Sequence, residues 1–109
     1  MEPQERRLRN YRKNGKDLFG EWLDAISDLT AKAAIRARLD RVVNGNFGDH
    51  RGVGQEVWEL RIHYGPGYRV YYGEDGPVIV LLLCGGDKQT QRRDIRKAQR
   101  FWEQYRGLK

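Results

Sequence analysis

Cysteine is almost missing from this sequence: Cys84 is the only one in 109 residues. A lone thiol excludes an intramolecular disulfide and a thiolate zinc cluster. Cys84 closes the run Leu81-Leu82-Leu83-Cys84, where it reads as a small buried side chain rather than a nucleophile. Histidine is nearly as scarce. His50 and His63 are the pair, and neither has tight spacing to a carboxylate pair, so no metal and no cofactor is expected. Long apolar runs are lacking as well. The longest, Val78 to Cys84, is far too short to span a bilayer, and Met1 to Lys16 is too crowded with charge for a signal peptide. These absences predict a cytoplasmic protein with no membrane partner.

What is present points elsewhere. The length suits one domain over residues 1–109, with one modest core and no room for a cofactor domain. Three Trp and six Tyr argue for a folded chain. The net charge of +6 and a pI near 9.7 favour polyanionic partners: nucleic acid, a ribosome or an acidic protein. A soluble basic domain without an anion partner would show the same balance.

Residues 4–12 read as a short polar edge strand. From Asp17 the pattern turns helical, with Leu18, Phe19, Trp22, Leu23 and Ile26 on one face. A second helix is expected over Leu29 to Val43. Its stripe is Ala31, Ala34, Ile35, Leu39 and Val42, its wet side Lys32, Arg36, Arg38 and Arg41, and Asn44-Gly45 is its stop. Asn46 to Gly54 reads as a loop. The period then changes to two over Val57 to Tyr64, with Trp58, Leu60, Ile62 and Tyr64 on one side. After the Gly65-Pro66-Gly67 turn, Tyr68 to Tyr72 alternates again. Val78 to Cys84 suits a central strand buried on both faces. Asp87 follows Gly85-Gly86 as an N-cap for a last helix, whose stripe is Gln91, Ile95, Ala98, Trp102 and Tyr105. The class is α+β: an N-terminal helical hairpin packed on one face of an antiparallel sheet, followed by a C-terminal helix.

A three-residue turn at Gly65-Pro66-Gly67 would set Ile62 opposite Val70, His63 opposite Arg69 and Arg61 opposite Tyr71. The face away from the helices would then carry Arg61, His63, Arg69 and Tyr71, with Lys88 and Gln89 at its border and Arg92 on the following helix. RNA cleavage by internal transesterification needs a base for the 2′-hydroxyl, an acid for the 5′-oxygen and donors for charge on the phosphate. Arg and Lys supply the last, and histidine is the side chain that titrates near neutral pH. Tyr71 is placed to donate a hydrogen bond or stack on a base. Arg69 is expected to face solvent, so that Arg69→Ala would leave the fold intact. A merely solvated strand face accounts for the same pattern, as does a solvating surface for the Arg run of the last helix.

The segment Glu59-Leu60-Arg61-Ile62-His63-Tyr64-Gly65-Pro66-Gly67-Tyr68-Arg69-Val70-Tyr71-Tyr72 resembles the central hairpin of RelE/ParE-type toxins. It is nearest the addiction module killer subgroup, related to phage Gp49-like and HigB-type toxins. Leu81 to Gln89 with a basic helix ending in Trp102, Phe19 to Leu23, and the Gly45-Asn46-Phe47-Gly48-Asp49 loop are similar to that subgroup too. The resemblance implies a RelE-like fold with a curved antiparallel sheet, ribosome-associated mRNA cleavage and neutralisation by a helix-turn-helix antitoxin. It implies that operator DNA is bound only through the antitoxin complex. By the same resemblance Arg69 is a phosphate-binding and catalytic position, Arg61 lies near the basic residues of the preceding strand, and Lys88 takes the place of another basic residue. There are departures. Six residues past Lys88 stands Asp94 where RelE-type toxins carry a tyrosine, Tyr105 is too far along to replace it, and the histidine set of some HigB toxins is absent. His63 and Tyr71 are therefore candidates from the residues alone. Two rival functions stand beside the mRNA endoribonuclease: a ParE-like poison of DNA gyrase, and a non-enzymatic module binding nucleic acid or antitoxin.

Overall fold

A computed structural model describes residues 4–107. The chain runs β1 (Arg7–Asn10), β2 (Arg12–Lys13), β3 (Lys16–Asp17), α1 (Leu18–Ala25), α2 (Leu29–Val43), β4 (His50–Gly52), β5 (Val57–Ile62), β6 (Tyr68–Asp75), β7 (Ile79–Asp87) and α3 (Gln91–Gly107). Both early helices begin on an aspartate. The Asp17 carboxylate accepts from Gly20 N, and that of Asp28 accepts from Thr30 N and Ala31 N. Caps of this kind contribute about 1 kcal/mol each. No described helix is long and apolar enough to cross a membrane.

Five strands form the main sheet in the order β1-β7-β6-β5-β4. The expected meander is β5-β6-β7. The sheet is nevertheless mixed, because the polar edge strand β1 runs parallel to β7, Arg7 beside Ile79 and Asn10 beside Leu82. Residues 50–52, expected in a loop, pair with β5 as β4. The strand β7 is buried on both faces, as its unbroken apolar run predicts.

The helices do not share one face. Phe19 and Leu23 of α1 and Ile35, Leu39 and Val42 of α2 pack with Leu60, Ile62, Val70, Tyr72, Val80 and Leu82. On the other side Ala98, Phe101 and Trp102 of α3 pack with Val57, Tyr71, Leu81, Leu83 and Cys84. The face expected to lie open is thus largely covered by α3. A bulge between Tyr71 and Tyr72 explains how Leu83 and Cys84, adjacent in sequence, both reach α3: Tyr71 pairs with Cys84 but Tyr72 with Leu82. After the bulge, Gly85 lies under Trp22 of α1 and Gly86 under Asp94 of α3.

The hairpin register also differs from expectation. Leu60 pairs with Val70, Arg61 with Arg69 and Ile62 with Tyr68, a slip of two residues. Residues 63–67 form the connection, with Gly65 and Gly67 both at positive φ. An even slip keeps every side chain on its face. Arg61 and Arg69 therefore stay on the α3 side, while His63 leaves the ladder. Burial changes more: Arg69 is 7% exposed, and Tyr71 is fully covered. Neither faces solvent as expected: Tyr71 packs under α3, and Arg69 lies along the sheet beside the buried Glu59. The start of α3 is also later than expected. Asp87 caps the preceding turn through Gln89 N and Thr90 N, and Gln91 turns to a buried carboxylate rather than joining an apolar stripe.

Trp102 crosses β6 where a Cβ on Gly73 would meet indole carbons at 2.3 Å. We expect Gly73→Ala to destabilise the fold by about 1–3 kcal/mol through forced overpacking, seen as a lower urea midpoint with the far-ultraviolet spectrum retained.

Candidate functional site

α3 covers its sheet face from Trp102 over Gly73 to Gln91 beside Glu59. Past Gln91 the end of the β5–β6 hairpin is uncovered. It forms a cleft of about 520 Å³ lined by Arg61, His63, Tyr64, the Gly65-Pro66-Gly67 turn, Arg69 and Lys88. A neighbouring basic groove shares Lys88 and runs along Gln89, Gln91, Arg92, Arg93 and Arg96.

One wall of the cleft is organised by Asp49. Its carboxylate accepts from Arg61 Nη2 at 2.9 Å and Nε at 3.2 Å through Oδ1, and Oδ2 is 2.5 Å from His63 Nε2. The hydrogen bonds from Arg61, then from His63, hold the Asp49 carboxyl down at about 2. Arg61 is raised in turn by Asp49. The loop bearing Asp49 is fixed from behind by Arg38 of α2. Its guanidinium donates to Arg61 O at 2.6 Å, Phe47 O at 2.7 Å and Asp49 O at 3.0 Å. Gly48 has φ +68°, and a Cβ there would meet that guanidinium at 3.0 Å. Arg38, expected to stay wet, is thus half-buried structure.

The floor is organised by Glu59, which is fully buried. Oε1 accepts from Arg51 Nε at 3.0 Å, and Oε2 accepts from Tyr71 OH at 3.0 Å and Gln91 Nε2 at 2.9 Å. Arg69 Nε stands 3.9 Å from Oε1. That nitrogen is buried and makes no hydrogen bond, while Arg69 Nη1 donates to Gly67 O at 3.1 Å. Burial, then the Glu59 charge, pushes the Tyr71 phenol far above its ordinary value. Tyr71 therefore remains a proton donor to Glu59.

Residues 21–103 match the family described as phage derived protein Gp49-like (DUF891). The chain belongs to this family. The family is phage-derived and toxin-like, and it is associated with toxin–antitoxin modules. This Gp49-like chain is also similar to an uncharacterized protein of Haemophilus influenzae (strain ATCC 51907 / DSM 11121 / KW20 / Rd). They are 51% identical over 81 residues, which is 74% of this chain and 82% of the relative. No solved structure matches the chain.

Of the residues expected at the site, the Gp49-like fold brings Arg61, His63, Arg69 and Lys88 to one cleft. Gln89 and Arg92 line the adjoining groove instead. Tyr71 does not line the cleft and touches it only through Glu59. Cys84 is buried, and burial pushes its thiol up to about 12, which suits a packing residue. Tyr105 donates to Asp75, the last residue of β6, whereas the cleft lies at that strand's first residues. Asp49, Glu59 and Tyr64 belong to the cleft or its supports without having been singled out. Asp49 had a signal, since it ends the Gly45–Asp49 loop noted above. Glu59 had another: it alternates onto the same face as Arg61, an acid among cations.

The Asp49 carboxyl titrates near 2 in the fold and near 4 in an unfolded chain. Its contribution to stability is therefore complete above about pH 4 and lost as pH falls from there towards 2. We expect Asp49→Asn to lower the urea midpoint at pH 7, and the gap from the wild type to close near pH 2.

Proposed function

We propose that this chain is the toxin of a type II toxin–antitoxin system and acts as a metal-independent mRNA endoribonuclease on the ribosome. The observation that carries the reading is one cleft combining Arg61, Arg69 and Lys88 with an imidazole bound to a carboxylate. Its innermost cation, Arg69, keeps a buried Nε without an acceptor. Lys88, which is exposed, and Arg61, which is half-exposed, offer donors at the open side of that cleft. A phosphate oxygen suits the charge and the donors.

The reaction follows from those groups. The 2′-oxygen attacks the adjacent phosphorus, forming P–O2′ and breaking P–O5′. The products are a 2′,3′-cyclic phosphate and a 5′-hydroxyl. Arg69 and Lys88, joined by Arg61, stabilise the charge that builds on the phosphate oxygens. His63 is held by Asp49 through Nε2, which directs Nδ1 elsewhere for proton transfer to or from the reacting oxygens. Tyr71 takes a supporting role through Glu59. The groove with Gln89 and Arg92 extends the path for the RNA backbone. A helix-turn-helix antitoxin is the proposed neutralising partner, with operator DNA reached only through that complex, and the cytoplasm is the proposed location.

Arg69→Ala is a poor test, since it also empties a buried position beside Glu59. Lys88 is exposed, so Lys88→Ala should keep the fold and lower cleavage by about 10²-fold or more. The test is expression in bacteria without antitoxin, with mRNA ends mapped. We expect new 5′ ends within reading frames that fade in Lys88→Ala. Growth arrest with intact mRNA would transfer the proposal to gyrase, and neither arrest nor cleavage would leave a binding module.

A further inference from the structure

One side chain in the cleft has no part in phosphate chemistry. Tyr64 lines the cleft together with Arg61, His63, Arg69 and Lys88, yet it is among the few large hydrophobic side chains left open, at 37% exposure. The ring is not loose. Its hydroxyl donates to Asp28 Oδ2 at 3.2 Å, and Oδ1 of that carboxylate caps α2 through Thr30 N at 3.0 Å and Ala31 N at 3.2 Å. The main chain is held as well. Tyr64 N donates to Ile62 O at 2.9 Å, and Tyr64 O accepts from Gly67 N at 3.1 Å. Tyr64 is therefore tethered at its backbone and at its far end, and left partly open to solvent in a cleft that Arg61, Arg69 and Lys88 also line.

A partly exposed aromatic ring, fixed in advance next to a phosphate-binding position, has a specific use. The cations hold a strand's backbone but say nothing of its bases. An aromatic face takes any unstacked base, and a ring already immobilised loses little entropy on binding it. A base inside a duplex has both faces occupied by its neighbours and cannot reach such a ring. We propose that Tyr64 is a stacking platform for an unpaired base next to the bound phosphate, which makes the ligand of this cleft single-stranded RNA. The tether to Asp28 sets the plane of the platform, so Asp28 is a positioning residue for it. This inference rests on reading the cleft as an RNA site, but not on cleavage.

The experiment uses the full chain and a short 2′-O-methyl RNA, which has no 2′-hydroxyl to react, carrying one 2-aminopurine. Stacking quenches that base. The wild type should bind it with quenching, and Tyr64→Phe should keep the quenching with affinity within a few-fold. Tyr64→Ala should bind roughly 5- to 100-fold more weakly without quenching. Its salt dependence should be unchanged, because the phosphate contacts remain. Lys88→Ala should do the reverse, flattening the salt dependence while leaving the quenching. Unaltered affinity and quenching in Tyr64→Ala would overturn the platform, as would equal binding of the same sequence as a duplex. Quenched binding by a protein that cuts no ordinary RNA would sink the nuclease reading and keep the platform. No binding by the wild type at low salt would overturn both.

Discussion

The fold depends on a carboxylate that is shut away from water. Glu59 lies in the middle of β5, fully buried, and a charge there is tolerable only if the surroundings replace its hydration. Arg51 from β4, Tyr71 from β6 and Gln91 from the first turn of α3 do so, with Arg69 close by. These four partners belong to two strands, β4 and β6, and a helix. Satisfying one acid therefore ties the edge strand, the hairpin and α3 together where the cleft begins. Removing a partner of such a group typically costs about 3–5 kcal/mol, more than any one helix cap contributes.

That arrangement also leaves Arg69 in an unusual position. Its charge is offset by Glu59, yet its Nε is 3.9 Å away from the carboxylate and unbonded. Its positive charge is therefore balanced although that nitrogen has no acceptor. Asp49 does the matching work on the exposed wall, where it holds Arg61 and His63 in fixed relation and is itself held by Arg38 through the backbone. The cleft is thus built in two layers: Glu59 and Arg69 buried at its floor, and a half-exposed Asp49 holding Arg61 and His63 at its open wall.

Much of the framework was legible in the sequence. The apolar stripe from Leu29 to Val43 marks α2 to the residue, and the alternation from Val57 sorts β5 correctly between faces. The unbroken run ending at Cys84 marks the doubly buried strand. The placement of α3 was not legible, because a stripe shows that a helix is covered but not which sheet face covers it. Asp94, noted only as a departure from the RelE-type pattern, is buried over Gly86 and bonded to Thr90 Oγ1. The register slipped because Gly65 and Gly67 both adopt positive φ, which permits a longer connection than the tight turn inferred from Gly-Pro-Gly. The supporting acids were the hardest to see. Asp49 and Glu59 are defined by what they hold from distant segments, and no local spacing records that.

The measurement that tests the account most directly is the chemistry of the ends. Purified protein is given ribosomes carrying a defined mRNA, with metal chelated as far as ribosome integrity allows, and the termini of any fragments are identified. Cleavage by the 2′-oxygen at this cleft predicts a 2′,3′-cyclic phosphate, or the 3′-phosphate it opens to, upstream of the cut and a 5′-hydroxyl downstream. Fragments with 5′-phosphate and 3′-hydroxyl ends, or intact mRNA, would contradict it.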